Sequence, residues 1–215
     1  MAALADFERF ILPFMSNVPI PAVHDAVLDA CIDYCTRTRL LRDMVEPITL
    51  VKGVDEYEID PPDGDNQITE VIAAWLPEGQ LYPATRPELD ALYPKGWFDL
   101  RVGSTYEVRH FYCRQPGLIR LVPSVNNKIS RALRLEVAYA PTRTAREVSD
   151  ILLNRYAEKI ATGALAKLHQ HNAEYADPNR AVIYMQQFES YCNELADESS
   201  HGFSHQPLRT ARDDL

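Results

Sequence analysis

Glycine is scarce in this chain: eight residues in 215, none of them clustered. That scarcity excludes a glycine-rich phosphate cradle. No GK[ST], HExxH or GxSxG pattern supplies a nucleotide, zinc or acyl-transfer site in its place. No apolar run approaches the roughly 18–20 residues that a bilayer span needs. The opening MAALADFERFILPFM carries Asp6 and Glu8 and no basic stretch ahead of its apolar residues, which argues against a secretory signal. Positive charge is also short. Lys and Arg number 22 against 31 Asp and Glu, a formal net charge of −9. A protein that grips DNA phosphates is normally basic, because its affinity comes from counterion release. An acidic protein can surround DNA without sticking to it. There are four cysteines, and only Cys31 and Cys35 lie close together. They stand at i,i+4 on a predicted helix with no histidine nearby, so two zinc ligands lack their partners. The plain reading is buried, reduced thiols.

Hydrophobic residues make up 46% of the chain, enough to build a core. Their spacing divides the chain into helical ends and a strand-rich middle. After a short apolar arm over residues 3–15, Val23, Ala26, Val27, Ala30, Cys31 and Tyr34 recur at three- and four-residue steps, predicting a helix to about Arg39. Arg37, Arg39 and Arg42, close to Lys52, complement the C-terminal end of its dipole or else form a partner-binding patch. Residues 47–53 and 55–60 read as two strands of a hairpin, with Tyr57 and Ile59 alternating against charges. Residues 61–66 are a turn with too few oxygen ligands, wrongly spaced, for calcium. Gln67–Leu76 is a strand that Pro77–Gln80 turns back, and Thr85 can cap a short helix carrying Leu89 and Leu92. Tyr106, Val108, His110 and Tyr112 share one face of a further strand, Leu118–Val122 answers it, and Leu133–Tyr139 completes about six short strands.

Helical spacing then returns. Thr144 and Glu147 have capping-box spacing, and Val148, Ile151, Leu152, Tyr156, Ile160, Ala161, Ala164, Leu165 and Leu168 form a long stripe. Gly163 inside it costs about 1 kcal/mol against Ala unless a neighbour needs the space. Asp177–Pro178 caps a last helix with Ala181, Met185, Phe188, Cys192 and Leu195 facing the core. Two helices joined by a short connection form an antiparallel hairpin. From Glu198 the pattern stops in a polar tail with isolated Phe203 and Leu208, either mobile or ordered on a partner.

Chemistry is sparse in this pattern. His169 and His171 point to different faces near a helix end and read as a solvent-exposed pair. His201 and His205 lie in the tail. Glu147, Asp150 and Glu158 read as the wet face of a helix rather than an acid–base pair. No catalytic residue, metal ligand or cofactor is assigned.

Several stretches resemble the bacteriophage head-to-tail adaptor proteins of the neck, including the tail-tubular type. They are residues 26–35 running into Arg39-Leu-Leu-Arg42, then 47–51 with 57–59, then 89–97, then 156–168 followed by a second helix and a polar tail. The resemblance covers about residues 20–200. It implies an α+β fold: an antiparallel helical bundle, made of the N-terminal helix and a C-terminal helix hairpin, with a central antiparallel β-rich insertion. The parts expected are an arm and helix over 1–46, the insertion over 47–140, the helix hairpin over 141–197 and a flexible tail over 198–215. The resemblance further implies a structural virion protein, synthesised in the host cytoplasm and placed at the head–tail junction. It would form a homo-oligomeric ring, a dodecamer, under the portal protein, extend the DNA channel and receive the tail or nozzle protein. DNA would pass without sequence-specific binding, and no membrane is involved. The tail then becomes the portal contact, with Phe203, Leu208, Arg209 and Arg212 as partner-binding candidates chosen by side-chain type. Other readings are a different neck part, such as a stopper or tail-completion protein, and an enzyme with a cryptic site.

Overall fold

The computed structural model describes residues 1–15, 17–98, 100–101, 107–171 and 173–201. β1 (Ala2–Ala3) leads into α1 (Glu8–Ile11), which is flanked by two 3-10 turns, Leu4–Phe7 and Leu12–Phe14. Then come α2 (Ile20–Thr38), β2 (Arg42–Met44), β3 (Ile48–Leu50), β4 (Glu56–Glu58), β5 (Asn66–Leu76) and β6 (Gly79–Pro83). The chain continues through α3 (Arg86–Leu92), β7 (His110–Gln115), β8 (Leu118–Val122) and β9 (Ile129–Pro141). It closes with β10 (Glu147–Val148), α4 (Asp150–His169) and α5 (Pro178–His201).

Half the fold is a helical layer. α2, α4 and α5 pack on one another, with α1 and its flanking turns covering α4 and α2. The predicted stripes are the buried ones: Val23, Val27, Cys31 and Tyr34 on α2, Ile160, Ala164 and Leu168 on α4, and Phe188, Cys192 and Leu195 on α5 share one core. α2 stops where Arg39 enters the left-handed region, at φ 51°, with its N–H on the Cys35 carbonyl at 2.9 Å. Asp177 caps α5 by accepting the N–H of Asn179 at 2.9 Å. The centre of the layer is an aromatic cluster. Tyr34 lies 5.6 Å from Tyr156 and 6.0 Å from Phe188, ring to ring. Gly163 is what lets α5 sit there: a Cβ added to it would meet the Phe188 ring at 2.6 Å.

The other half is an eight-stranded sheet in the order β2–β9–β5–β6–β7–β8–β4, with β3 also paired to β9. All pairs are antiparallel except β6 with β7. The spine is β5 on β9, eleven and thirteen residues long, in a register from Asn66↔Pro141 to Trp75↔Arg134 broken by two bulges. The sheet curls around a second core that includes Leu50, Leu81, Ile119, Leu121, Leu133 and Leu135. The two halves meet along one end of β9. Ala140 belongs to the helical core, the Tyr139 N–H donates to the Leu41 carbonyl at 3.0 Å, and Arg39 pairs with Glu70 at 2.7 Å.

This architecture corrects the expected one. The sheet is not an insertion on a helical bundle. It is a layer as substantial as the helices, because β9 runs over thirteen residues, well beyond the expected 133–139, and with the eleven-residue β5 gathers β2, β3 and β6 directly beside it. Residues 47–53 and 55–60 do not form a hairpin either: β3 pairs with β9, and β4 pairs with β8. Thr144 and Glu147 start no helix. Glu147 lies in β10, paired with Ala3, and α4 begins three residues later at Asp150. α5 outlasts its apolar stripe and reaches His201, with the buried Ser199 hydroxyl donating to the Thr38 carbonyl.

Candidate interaction surfaces

The titratable groups form no reactive constellation among the described residues. His24 bonds Glu8 at 2.7 Å, His110 bonds the Tyr93 hydroxyl at 3.3 Å, and His171 bonds the Tyr175 hydroxyl at 3.0 Å. None of these pairs includes a cysteine or a serine. Burial pushes the Cys31 thiol up to about 12 and those of Cys113 and Cys192 up to about 11, which keeps them protonated and unreactive. The Tyr34 hydroxyl is likewise raised by burial and has no hydrogen-bond partner among the described residues. Among the described residues no group of three or more His, Cys, Asp or Glu is arranged to hold a metal ion, and no helix is long and apolar enough to cross a membrane.

Surfaces carry more. The turn between β3 and β4 is a rigid apolar tip. The Val54 N–H closes it on the Val51 carbonyl at 3.1 Å. The hydroxyl of buried Tyr57 accepts the Val51 N–H at 3.1 Å and lies 3.2 Å from the Val54 carbonyl. So pinned, the turn presents Val51 and Val54 to solvent, with 41% and 37% of each exposed, on either side of exposed Lys52.

A second surface lies where α4 turns into α5. Pro178, Ala181, Val182 and Met185 line a groove of about 410 Å³ together with His169 and Gln186. His169 corrects the expectation of an exposed pair. It is buried, with its ring parallel to Tyr184, and only His171 is exposed. The Asp177 N–H donates to His169 Nδ1 at 3.2 Å, so the neutral ring carries its proton on Nε2. That Nε2–H is buried and has no partner among the described residues. Burial and nearby Arg180 hold the imidazole below its ordinary pKa. The signal was in the spacing, since His169 stands four residues beyond Leu165 on the apolar stripe.

A third feature braces the sheet. Asp55 pairs with Arg101 and also with Arg120 at 3.4 Å. The Arg120 guanidinium lies over Phe98 at 4.9 Å and over Trp97 at 5.5 Å. Trp97 in turn donates to Asp90 at 2.8 Å, tying α3 to β8 and β4. Sequence reading passed over this cluster because its members are spread over residues 55–120. The four tail candidates, Phe203, Leu208, Arg209 and Arg212, lie outside the described residues.

A helical layer on a curled sheet, with unpartnered apolar surfaces and no reactive cluster among the described residues, fits a protein that works by contact. It is a phage head-to-tail adaptor. The profile of the SU10 adaptor protein family matches residues 4–211, and the chain belongs to that family. No curated protein matches it.

Proposed function

We propose that this adaptor is a non-enzymatic subunit of a homo-oligomeric ring, a dodecamer, set under the portal protein in the virion neck. The ring extends the DNA channel and gives the tail or nozzle protein its attachment surface. The observation that carries this reading is the family match across residues 4–211. The net charge of −9 supports the channel role, because a like-charged wall repels DNA and leaves it free to slide. The helical layer serves as the body of the subunit and the sheet as the surface offered to neighbours.

The segment after α5 is the portal contact in this reading, with Phe203 and Leu208 as apolar anchors and Arg209 and Arg212 as charged ones. Its removal must spare Ser199, whose bond to Thr38 belongs to the fold. A chain ending at His201 therefore keeps the melting temperature of the full chain and loses portal binding. Electron microscopy of particles tests the whole reading. A ring of this chain between head and tail is expected, and particles that lack the protein would refute it.

A further inference from the structure

We propose that the Val51–Val54 tip of one copy seats in the α4–α5 groove of the next. This rests on the reading above in one respect, that copies of the chain meet in the particle. Two complementarities carry it. The groove is apolar along Ala181, Val182 and Met185, and Val182 is 57% exposed, so it gains from burying an aliphatic knob. The tip offers two β-branched side chains already held in place by the Tyr57 hydroxyl, so little conformational entropy is lost on docking.

The second is charge. Lys52 is the one charged side chain between Val51 and Val54. On α5 the groove stripe of Val182 and Gln186 continues one turn on to exposed Glu189. Beyond it Glu194, Asp197 and Glu198 follow with no Lys or Arg. Tip and groove belong to different layers with separate cores. The contact is therefore heterologous, one surface meeting a different one, which is the kind that closes into rings.

Cysteine cross-linking tests it. A chain carrying both Val54→Cys and Val182→Cys is assembled into particles and treated with a short bifunctional maleimide. A ladder of multimers is expected. Mixing the two single variants should stop the products at the dimer. Either Val51→Asp or Met185→Asp, added to the double-cysteine chain, should reduce the ladder about tenfold or more, with the melting temperature unchanged. Particles that contain the protein but yield only monomer, or links only to another virion protein, overturn the tip-in-groove contact and leave the adaptor reading standing. Particles without the protein overturn the adaptor reading instead.

Discussion

The helical layer and the sheet reach dry cores by opposite routes. In the helices, burial converges on one contact: the Phe188 ring fills the space that Gly163 leaves open and meets Tyr34 beside it. In the sheet, burial is spread over many strands, and no single ring holds the centre. Its outer strands are fastened by charge instead, through Asp55 between Arg101 and Arg120. One half is therefore sensitive to shape at a point, and the other to the loss of an anion at its margin.

The largest effect belongs to the point contact. Phe188→Ala should cost about 3–5 kcal/mol, because the ring is 1% exposed and the cavity is walled by two helices and Tyr34. Denaturant unfolding measures it, and a loss below about 1 kcal/mol would show that the layer relaxes around the gap. Next comes Asp55→Ala. It strands Arg120, whose side chain is 11% exposed, with Glu56 at 3.7 Å as its remaining carboxylate. A loss of about 1.5–3 kcal/mol is expected, the range for hydrogen bonds to charged groups. If Asp55→Ala is silent, charge does not hold the sheet margin.

Gly163→Ala separates shape from propensity. Alanine favours a helix by about 1 kcal/mol over glycine. Overpacking against a buried ring costs about 1–3 kcal/mol. The net loss should be about 1 kcal/mol, and any stabilisation would mean that the Phe188 ring moves freely. Glu88 gives a pH-dependent case. Its carboxylate accepts the N–H and the hydroxyl of Thr85 at 2.7 and 2.8 Å, which holds its pKa below the ordinary 4.5. The unfolded chain then binds the proton more readily, so this contribution is present above pH 4.5 and fades as pH falls through the lowered value. The stability gap between the wild type and Glu88→Gln should shrink on acidification, and a constant gap would contradict the assignment.

The helical half was legible because its signals are local. Stripes at three- and four-residue spacing gave α2, α4 and α5, and Thr85 and Asp177 marked two helix starts. The sheet was legible only in its hairpins, β5 with β6 and β7 with β8, whose turns are short. Its spine pairs Asn66 with Pro141 and its margin pairs Tyr57 with Ile119, and no local pattern reports partners so far apart. β5 was legible at nearly its full length, but β9 was read over 133–139 and extends back to Ile129 past Arg131, whose φ of 48° interrupts the alternation. Of the candidate surfaces, the Val51–Val54 turn was visible as a break between strands, but its pinning by Tyr57 was not. His169 was misread because it follows the apolar stripe in spacing but not in composition.

The smallest effect tests the joint between the halves. Arg143, just beyond β9, pairs with Asp29 on α2 at 2.8 Å, which looks like a tie from sheet to helix. Its side chain is 78% exposed, so water screens the charge and ordering a long side chain offsets the gain. The joint has a drier alternative in Ala140, within the helical core, and in the Tyr139 N–H on the Leu41 carbonyl. Arg143→Ala should therefore cost less than about 0.5 kcal/mol. A double-mutant cycle with Asp29→Ala should return a coupling within its own error. A coupling near that of Asp55 would mean that charge, and not the buried end of β9, joins the two layers.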